Sequence, residues 1–203
     1  MNLGDDMART VNLAVKEQNR RKILDAALSL FSIKGFFATK ITEIAKEAGM
    51  SHAAVFTYFA SKEEILNTVI LEPLEEERER FRACLSYKGT TGEILKHIVR
   101  EHVTSIMKRK DLIRVIMTVI GQPAYFEHQS AAVYDFSNRF VAEIAQLIEK
   151  GQASKEIMDG DAMVTSLAYY SYVNGLIFIE PFPIDRIEEY VNRGCRIIGI
   201  LEG

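Results

Sequence analysis

The sequence predicts an all-α protein, and three observations carry that reading. Apolar residues recur at helical spacing through most of the chain, as in the stripe Ile94, Leu95, Ile98, Val99, His102, Val103, Ile106 and Met107. No segment sustains the period-two alternation of a strand, and the Asn-Gly pair at Asn174-Gly175 has no strand pattern on either side. Gly, Pro and hydroxyl residues fall where helix ends and caps belong.

Residues up to about Glu17 show no apolar period, so 1–17 is expected to be a loose arm. From Arg20, the residues Ile23, Leu24, Ala27, Leu28, Leu30 and Phe31 mark a first helix with Gly35 in the C-cap place. Thr39 is expected to cap a short second helix bearing Ile41, Ile44 and Ala45, which Gly49 ends. Ser51 caps a third, through Phe59. In Ser61-Lys62-Glu63-Glu64 the serine and the glutamate three residues on form a capping box, opening a fourth helix with Ile65, Leu66, Val69 and Ile70.

The charged run after Pro73 reads as a solvated helix face, so the proline is expected to kink this helix rather than end it. Gly89 and Gly92 flank a turn before the long stripe from Ile94. A shorter helix covers Asp111 to Ile120 and closes at Gly121-Gln122-Pro123; another runs from about Glu127 to Lys150, ended by Gly151. Asp161 to about Ile179 is apolar nearly all round and stops at Pro181. Ile184 to Leu201 closes the chain, with Ile187, Val191, Ile197 and Ile198 on one side. The expected division is therefore an arm at 1–17, a first domain at 18–71 and a second at 72–203.

Composition narrows the function classes. At 203 residues, 48% hydrophobic and 26% charged, the chain suits one or two globular domains and not a disordered segment. No apolar run nears the ~20 residues of a membrane span, and the N-terminus lacks a signal-peptide core, so a cytoplasmic protein is expected. Cys84 and Cys195 stand apart, with no C-x-x-C and no His at ligand spacing, and read as buried thiols without a metal. Through Leu71 there are 9 Lys+Arg against 8 Asp+Glu, and 16 against 20 thereafter; only the first third is even slightly basic.

Catalytic motifs are missing: no G-x-S-x-G, no phosphate loop, no dinucleotide fingerprint, no H-E-x-x-H. Gly89-Thr90-Thr91-Gly92 lacks the lysine that a phosphate loop needs. His97 and His102 are five apart and project from different sides of a helix, which argues against a two-histidine metal site. Neither catalytic residues nor a cofactor are expected.

The segment EIAKEAGMSHAAVFTYFASKEEIL, from Glu43 to Leu66, joins two short helices through Ala48-Gly49. That is the pattern of a helix-turn-helix at about 40–59, whose second helix enters the major groove of DNA. Val55 and Phe59 can turn inward with Phe31 and Ile44, while His52, Ala53, Thr57 and Tyr58 face outward. Helix-Gly-helix alone leaves a plain three-helix bundle equally open.

The segment from about Glu17 to Glu77 resembles the DNA-binding domain of TetR-family transcriptional regulators. ILDAALSLFSIKGF, then Thr39 before ITEIAKEAG, then VFTYF followed by SKEEI stand in family order and spacing, and LIEKGQASKEI precedes the last two helices. The sequence departs from the family at Ala53, where Gly is usual, at Phe56, where Tyr is usual, and near Lys155, where a Gly is expected. The resemblance implies a fourth helix linking the DNA-binding domain to a helical domain for ligand binding and dimerisation. It implies phosphate contacts from Thr39, Lys40 and Lys62, with Tyr58 partly replacing the missing tyrosine, and base reading by Ser51, His52, Ala53, Ala54 and Thr57.

The function expected is thus a repressor that binds a palindromic duplex as a homodimer through its last two helices, Ile198 included, and is released by a small apolar or aromatic ligand. His102, which interrupts an apolar stripe, is either a satisfied core histidine or a polar anchor in a cavity. Met107, Met117, Tyr134, Tyr169 and Tyr172 are the candidate lining around it. The rival readings are a protein of the same fold controlled by a protein partner and a helical carrier that makes no use of DNA.

Overall fold

The structure, a computed structural model, describes residues 3–178 and 184–201, and among these the chain is helical with only an isolated bridge between Ile157 and Ile200. The helices are α1 (Leu3–Lys34), α2 (Ile41–Glu47), α3 (His52–Val55), α4 (Lys62–Leu85), α5 (Thr91–Lys108), α6 (Lys110–Ile120), α7 (Glu127–Ala153), α8 (Ala162–Gly175) and α9 (Ile187–Ile198). Short 3₁₀ turns at Leu176–Phe178 and Ile184–Arg186 flank the stretch that contains Pro181, which lies outside the described residues. No helix among the described residues is long and apolar enough to cross a membrane.

Two buried clusters organise the chain. In the first, α1, α2, α3 and the start of α4 converge through Ile23, Phe31, Ile44, Val55, Phe59 and Ile65, and Val115 and Val119 of α6 and Phe126 complete it. In the second, α5, α7, α8 and α9 pack Leu95, Ile98, Ile144, Ile148, Tyr169, Val191 and Ile198 together. Each such side chain contributes about 1.5–3 kcal/mol by leaving water. The helix α4 belongs to both: Ile65 to Leu74 lie in the first cluster, Phe81 and Cys84 in the second.

Capping explains most boundaries. Ser61 accepts from the Glu64 amide and Asp161 from that of Val164 (3.1 and 2.9 Å); Thr90 and Glu93 cap α5 reciprocally. Pro73 sits inside α4, which continues through it to Leu85. Gly35 and Gly49 end α1 and α2 with φ of +80° and +69°, a conformation that costs glycine little.

Several expectations change. Of the arm expected at 1–17, residues 3–17 are instead the first half of α1, although residues 13–18 are exposed; residues 1 and 2 lie outside the described residues. A nucleated helix extends through residues without Pro at little cost per residue, so missing apolar period does not stop it. Gly92 and Gly151 lie inside α5 and α7 and do not bound them; a side chain on Gly151 would stand 2.4 Å from Ile157. The third helix keeps one α-helical turn, and Phe56–Tyr58 continue as tighter turns. Ile198, expected at a dimer seam, is 1% exposed inside its own chain, because the αL residue Gly199 folds the tail back so that the Leu201 amide donates to the Glu156 carbonyl at 2.9 Å.

Candidate nucleic-acid interface and ligand cavity

The short helices α2 and α3 are held from behind. Ile44, Val55 and Phe59 are 0–3% exposed against Phe31, which leaves Ser51, His52, Ala53, Phe56 and Thr57 outside. Ser51 caps α3, its Oγ accepting from the Ala54 amide at 3.1 Å, while the Thr57 hydroxyl donates to the Ala54 carbonyl at 2.7 Å. At the start of α2 the Lys40 amide donates to Glu43 at 3.0 Å, and Lys34 reaches the same carboxylate at 2.6 Å. That hydrogen bond from Lys34, with the Lys40 amide, holds the Glu43 carboxyl below the usual range. The exposed Lys40 ammonium therefore stands at a helix N-terminus, where an anion is favoured.

Behind α4 lies a cavity of about 340 Å³, near the lower end of the ~300–1,000 Å³ common for ligand sites. Its wall is chiefly apolar: Phe81 of α4, Ile106 of α5, Ile113 and Ile116 of α6, Phe140 of α7 and Tyr170 of α8. One rim is polar. The Ser105 hydroxyl donates to Glu77 at 2.5 Å, and Arg80 and Arg109 approach that carboxylate at 3.5 and 3.6 Å. On another part of the wall His102 Nδ1 meets the Tyr169 hydroxyl at 3.1 Å, with the ring edge-on to Phe140. Burial lowers the His102 pKa from 6.5 to about 4, so the ring is neutral at pH 7 and can orient a ligand through a hydrogen bond without adding charge.

Residues 23–69 match the family described as bacterial regulatory proteins, tetR family, and residues 88–177 match the tetracyclin repressor-like C-terminal domain. The chain belongs to the TetR family. Its similarity to the fatty acid metabolism regulator protein of Bacillus subtilis (strain 168) is 23% identity over 145 residues, covering 71% of this chain and 74% of the relative. The HTH-type transcriptional regulator TtgR of Pseudomonas putida is 24% identical over 202 residues, covering 90% and 92%. A bacterial regulatory protein of the tetR family from Rhodococcus RHA1 shares the fold at a TM-score of 0.74 and 23% identity, covering 91% of this chain and 98% of that one. As a TetR-family protein the chain is a DNA-binding transcriptional regulator, and the protein-partner and carrier alternatives are not favoured.

Two of the phosphate contacts that the TetR resemblance implies are occupied internally. Thr39 is 1% exposed and its hydroxyl donates to the Gly35 carbonyl at 2.8 Å, so it braces the α1–α2 turn, and Lys40 takes the N-cap position. Lys62 donates to the Phe36 and Thr39 carbonyls, both at 2.8 Å, and lies over the Phe36 ring. The chain folds these residues inward because the loop leaves carbonyls that no helix satisfies. Tyr58 is partly buried, its hydroxyl accepting from Asn19 at 3.2 Å. Lys40, Ser51, His52, Ala53 and Thr57 are exposed and Ala54 half-buried.

In the regulatory part, His102, Met117 and Tyr134 line the cavity; Met107, Tyr169 and Tyr172 do not. Tyr169 is fully buried behind His102, and the Tyr172 hydroxyl donates to the Tyr190 carbonyl at 3.1 Å. Sequence reasoning missed Phe136 and Phe140, and it grouped Tyr170 with its neighbours Tyr169 and Tyr172 without singling it out as the one that enters. The first two are four apart on one face of α7 and were legible as a pair, but neighbouring tyrosines of α8 differ by ~100° in direction, and the axis alone decides which enters.

Proposed function

We propose that this regulator is a repressor that binds a palindromic operator as a homodimer and leaves it when a small, mainly apolar ligand enters the cavity. The observation that carries this reading is the two-sidedness of α6. Ile113, Ile116 and Met117 line the cavity, while Val115 and Val119 are buried with Phe36 and Phe126 in the DNA-binding core. Phe126 also stacks edge-on to Phe36 at 5.6 Å between ring centres, next to the turn that Thr39 and Lys62 brace. A ligand that moves α6 acts on the reading helices through α1 as well as α4, and differential contact with the two arrangements is what the release requires.

Dimerisation is supported by α8. Met163, Val164 and Leu167 are 46–62% exposed along one side of it, and Phe178 just beyond is 75% exposed. A second copy related by a two-fold axis covers such a face and sets two reading helices about one DNA turn apart.

The test is to sequence the DNA fragments that the purified protein retains and then titrate the recovered duplex with and without candidate ligands. Retention of a palindrome, release by an apolar compound, and loss of both dimer and palindrome binding in Leu167→Glu are expected. A wild-type monomer at micromolar concentration, or an operator complex indifferent to every compound shown to bind, overturns the reading.

A further inference from the structure

We propose that the cavity selects an uncharged ligand by a carbonyl oxygen, of the ketone, ester or amide kind, which accepts a hydrogen bond from the Nε2–H of His102, a proton that Tyr169 keeps in place from behind the ring. This rests on the reading of the cavity as a ligand site. The direction of that hydrogen bond decides which half of it the ligand must supply.

The direction is set on the far side of the ring from the cavity. Tyr169 is fully buried, and burial raises its pKa well above the usual value, so its hydroxyl keeps the proton. Among the described residues the one hydrogen-bond partner of that hydroxyl is His102 Nδ1, at 3.1 Å. A buried O–H without an acceptor is costly, so the Tyr169 proton points at Nδ1 and that nitrogen is the acceptor. Desolvation keeps the His102 ring neutral. A neutral imidazole carries one N–H, which therefore sits on Nε2. Tyr169 is thus a positioning residue: it sets the tautomer and touches no ligand.

The Nε2–H is not used inside the protein. It has no hydrogen-bond partner among the described residues, and no sealed side-chain nitrogen or oxygen among them lacks one, so Nε2 is open to the cavity that His102 lines. A second donor stands near it. Ser137 and Tyr170 also line the cavity, and their hydroxyls share a single hydrogen bond at 2.7 Å, which leaves one of the two protons over. The Tyr170 ring centre lies 6.1 Å from that of His102. Charge argues against a carboxylate as the acceptor. Arg80 and Arg109 line the cavity together with Glu77 and Glu101, two charges of each sign, so an entering anion meets no net positive charge to replace its water. A carbonyl oxygen has two lone pairs, no proton and no charge, and suits a wall that offers donors within an apolar lining.

The experiment reads the ring nitrogens of His102 by NMR in the full-length protein with isotope-labelled histidine, assigned by their loss in His102→Phe, in neutral buffer. The same samples are titrated with butyrophenone, its hydrocarbon analogue butylbenzene, phenylbutanol and phenylbutyrate. In the free wild type the proton is expected on Nε2, and the Nε2 signal should move when the ketone binds. In His102→Phe the ketone should bind roughly five- to tenfold more weakly, with butylbenzene changed by less than about twofold. In Tyr169→Phe the proton should exchange between the two nitrogens. A proton on Nδ1 in the wild type, an Nε2 signal indifferent to the bound ketone, or a tautomer unaffected by Tyr169→Phe overturns the inference and leaves the cavity reading standing. So do equal losses for ketone and hydrocarbon in His102→Phe, or tighter binding of the alcohol or the carboxylate than of the ketone. If the wild type binds none of the four compounds, the cavity reading falls and takes this inference with it. Thermal melts check both variants, and where His102→Phe does not fold the wild-type spectra decide.

Discussion

The DNA-reading part and the regulatory part are made of the same kind of amphipathic helix, yet one is filled and the other is hollow. In the first, Phe31, Ile44, Val55, Phe59 and Ile65 are each at most 3% exposed, with the short α2 and α3 held against α1 by that contact. In the second, Ile113, Ile116, Phe136 and Tyr170 are only half-buried, because they face a cavity of about 340 Å³. The difference teaches where rigidity is needed. Helices of seven and four residues cannot hold themselves and must be fixed by packing, whereas a sensor needs a void whose filling changes the contacts of its walls.

The sharpest way to break the comparison is to truncate one side chain in each part. Phe31→Ala in the filled core should cost about 3–5 kcal/mol, and Ile113→Ala at the cavity wall well under half of that, since the wall already lacks partners on one side. Chemical denaturation of both variants decides it; equal losses would mean that the cavity collapses in solution.

Next in size is the pH response of the hollow part. With a His102 pKa of about 4 when folded and 6.5 when unfolded, the unfolded chain binds the extra proton between those values. Stability contributed by the neutral ring is therefore complete above pH 6.5 and falls as pH drops towards 4, by up to about 3 kcal/mol. Thermal melts from pH 7 to 4 should show this slope in the wild type and lose it in His102→Gln; a parallel slope in the variant rules out His102 as its source.

A smaller effect sharpens the filled part. Lys62→Met keeps the length of the side chain but leaves the Thr39 carbonyl without its Lys62 donor and the Phe36 carbonyl with only the Thr39 amide at 3.3 Å, at about 1–2 kcal/mol. Operator affinity should fall with stability and keep its salt slope, because the ammonium faces inward. A slope reduced by about one unit would return Lys62 to the phosphate backbone.

The smallest concerns Lys155, which adopts φ of +62° after α7, close to where the family expects glycine. Lys155→Gly should stabilise the protein by about 0.5 kcal/mol, the relief of a left-handed side chain less the entropy that glycine loses. A lower melting temperature in that variant would show that the lysine is not strained.

Much of this was legible in the chain. The punctuation by Gly35, Gly49, Ser51 and Ser61 marked where α1 and α2 end and where α3 and α4 begin, although the third helix, expected through Phe59, stops at Val55; the alternation of small polar with apolar residues in Ser51 to Phe59 separated His52, Ala53 and Thr57 outside from Val55 and Phe59 inside, but not the half-buried Tyr58. The sites were legible only in part. Thr39 and Lys62 have the chemistry of phosphate contacts, and that same chemistry satisfies loop carbonyls 2.8 Å away. Their roles depend on which acceptor is nearer, which no residue type reveals. Met107 and Met117 read alike as cavity lining, yet only Met117 faces the cavity, because the two lie on helices that break direction at Arg109.

By itself the sequence determined the all-α class, the two short helices on either side of Gly49 and the outward set His52, Ala53 and Thr57, because caps, turns and helical periodicity are local and act over a few residues, while reading the pair as a helix-turn-helix took the TetR resemblance as well. Tertiary structure alone decided that α6 would serve two cores, that Ile198 would be sealed inside one chain while Val164 and Leu167 stayed out, and that Arg109 would stand in the wall shared by the cavity and a neighbouring hollow. Those outcomes depend on the rotation of each helix about its axis and the distance between axes. They are set by how many side chains from distant parts of the chain fit together at once, which no short window of residues specifies.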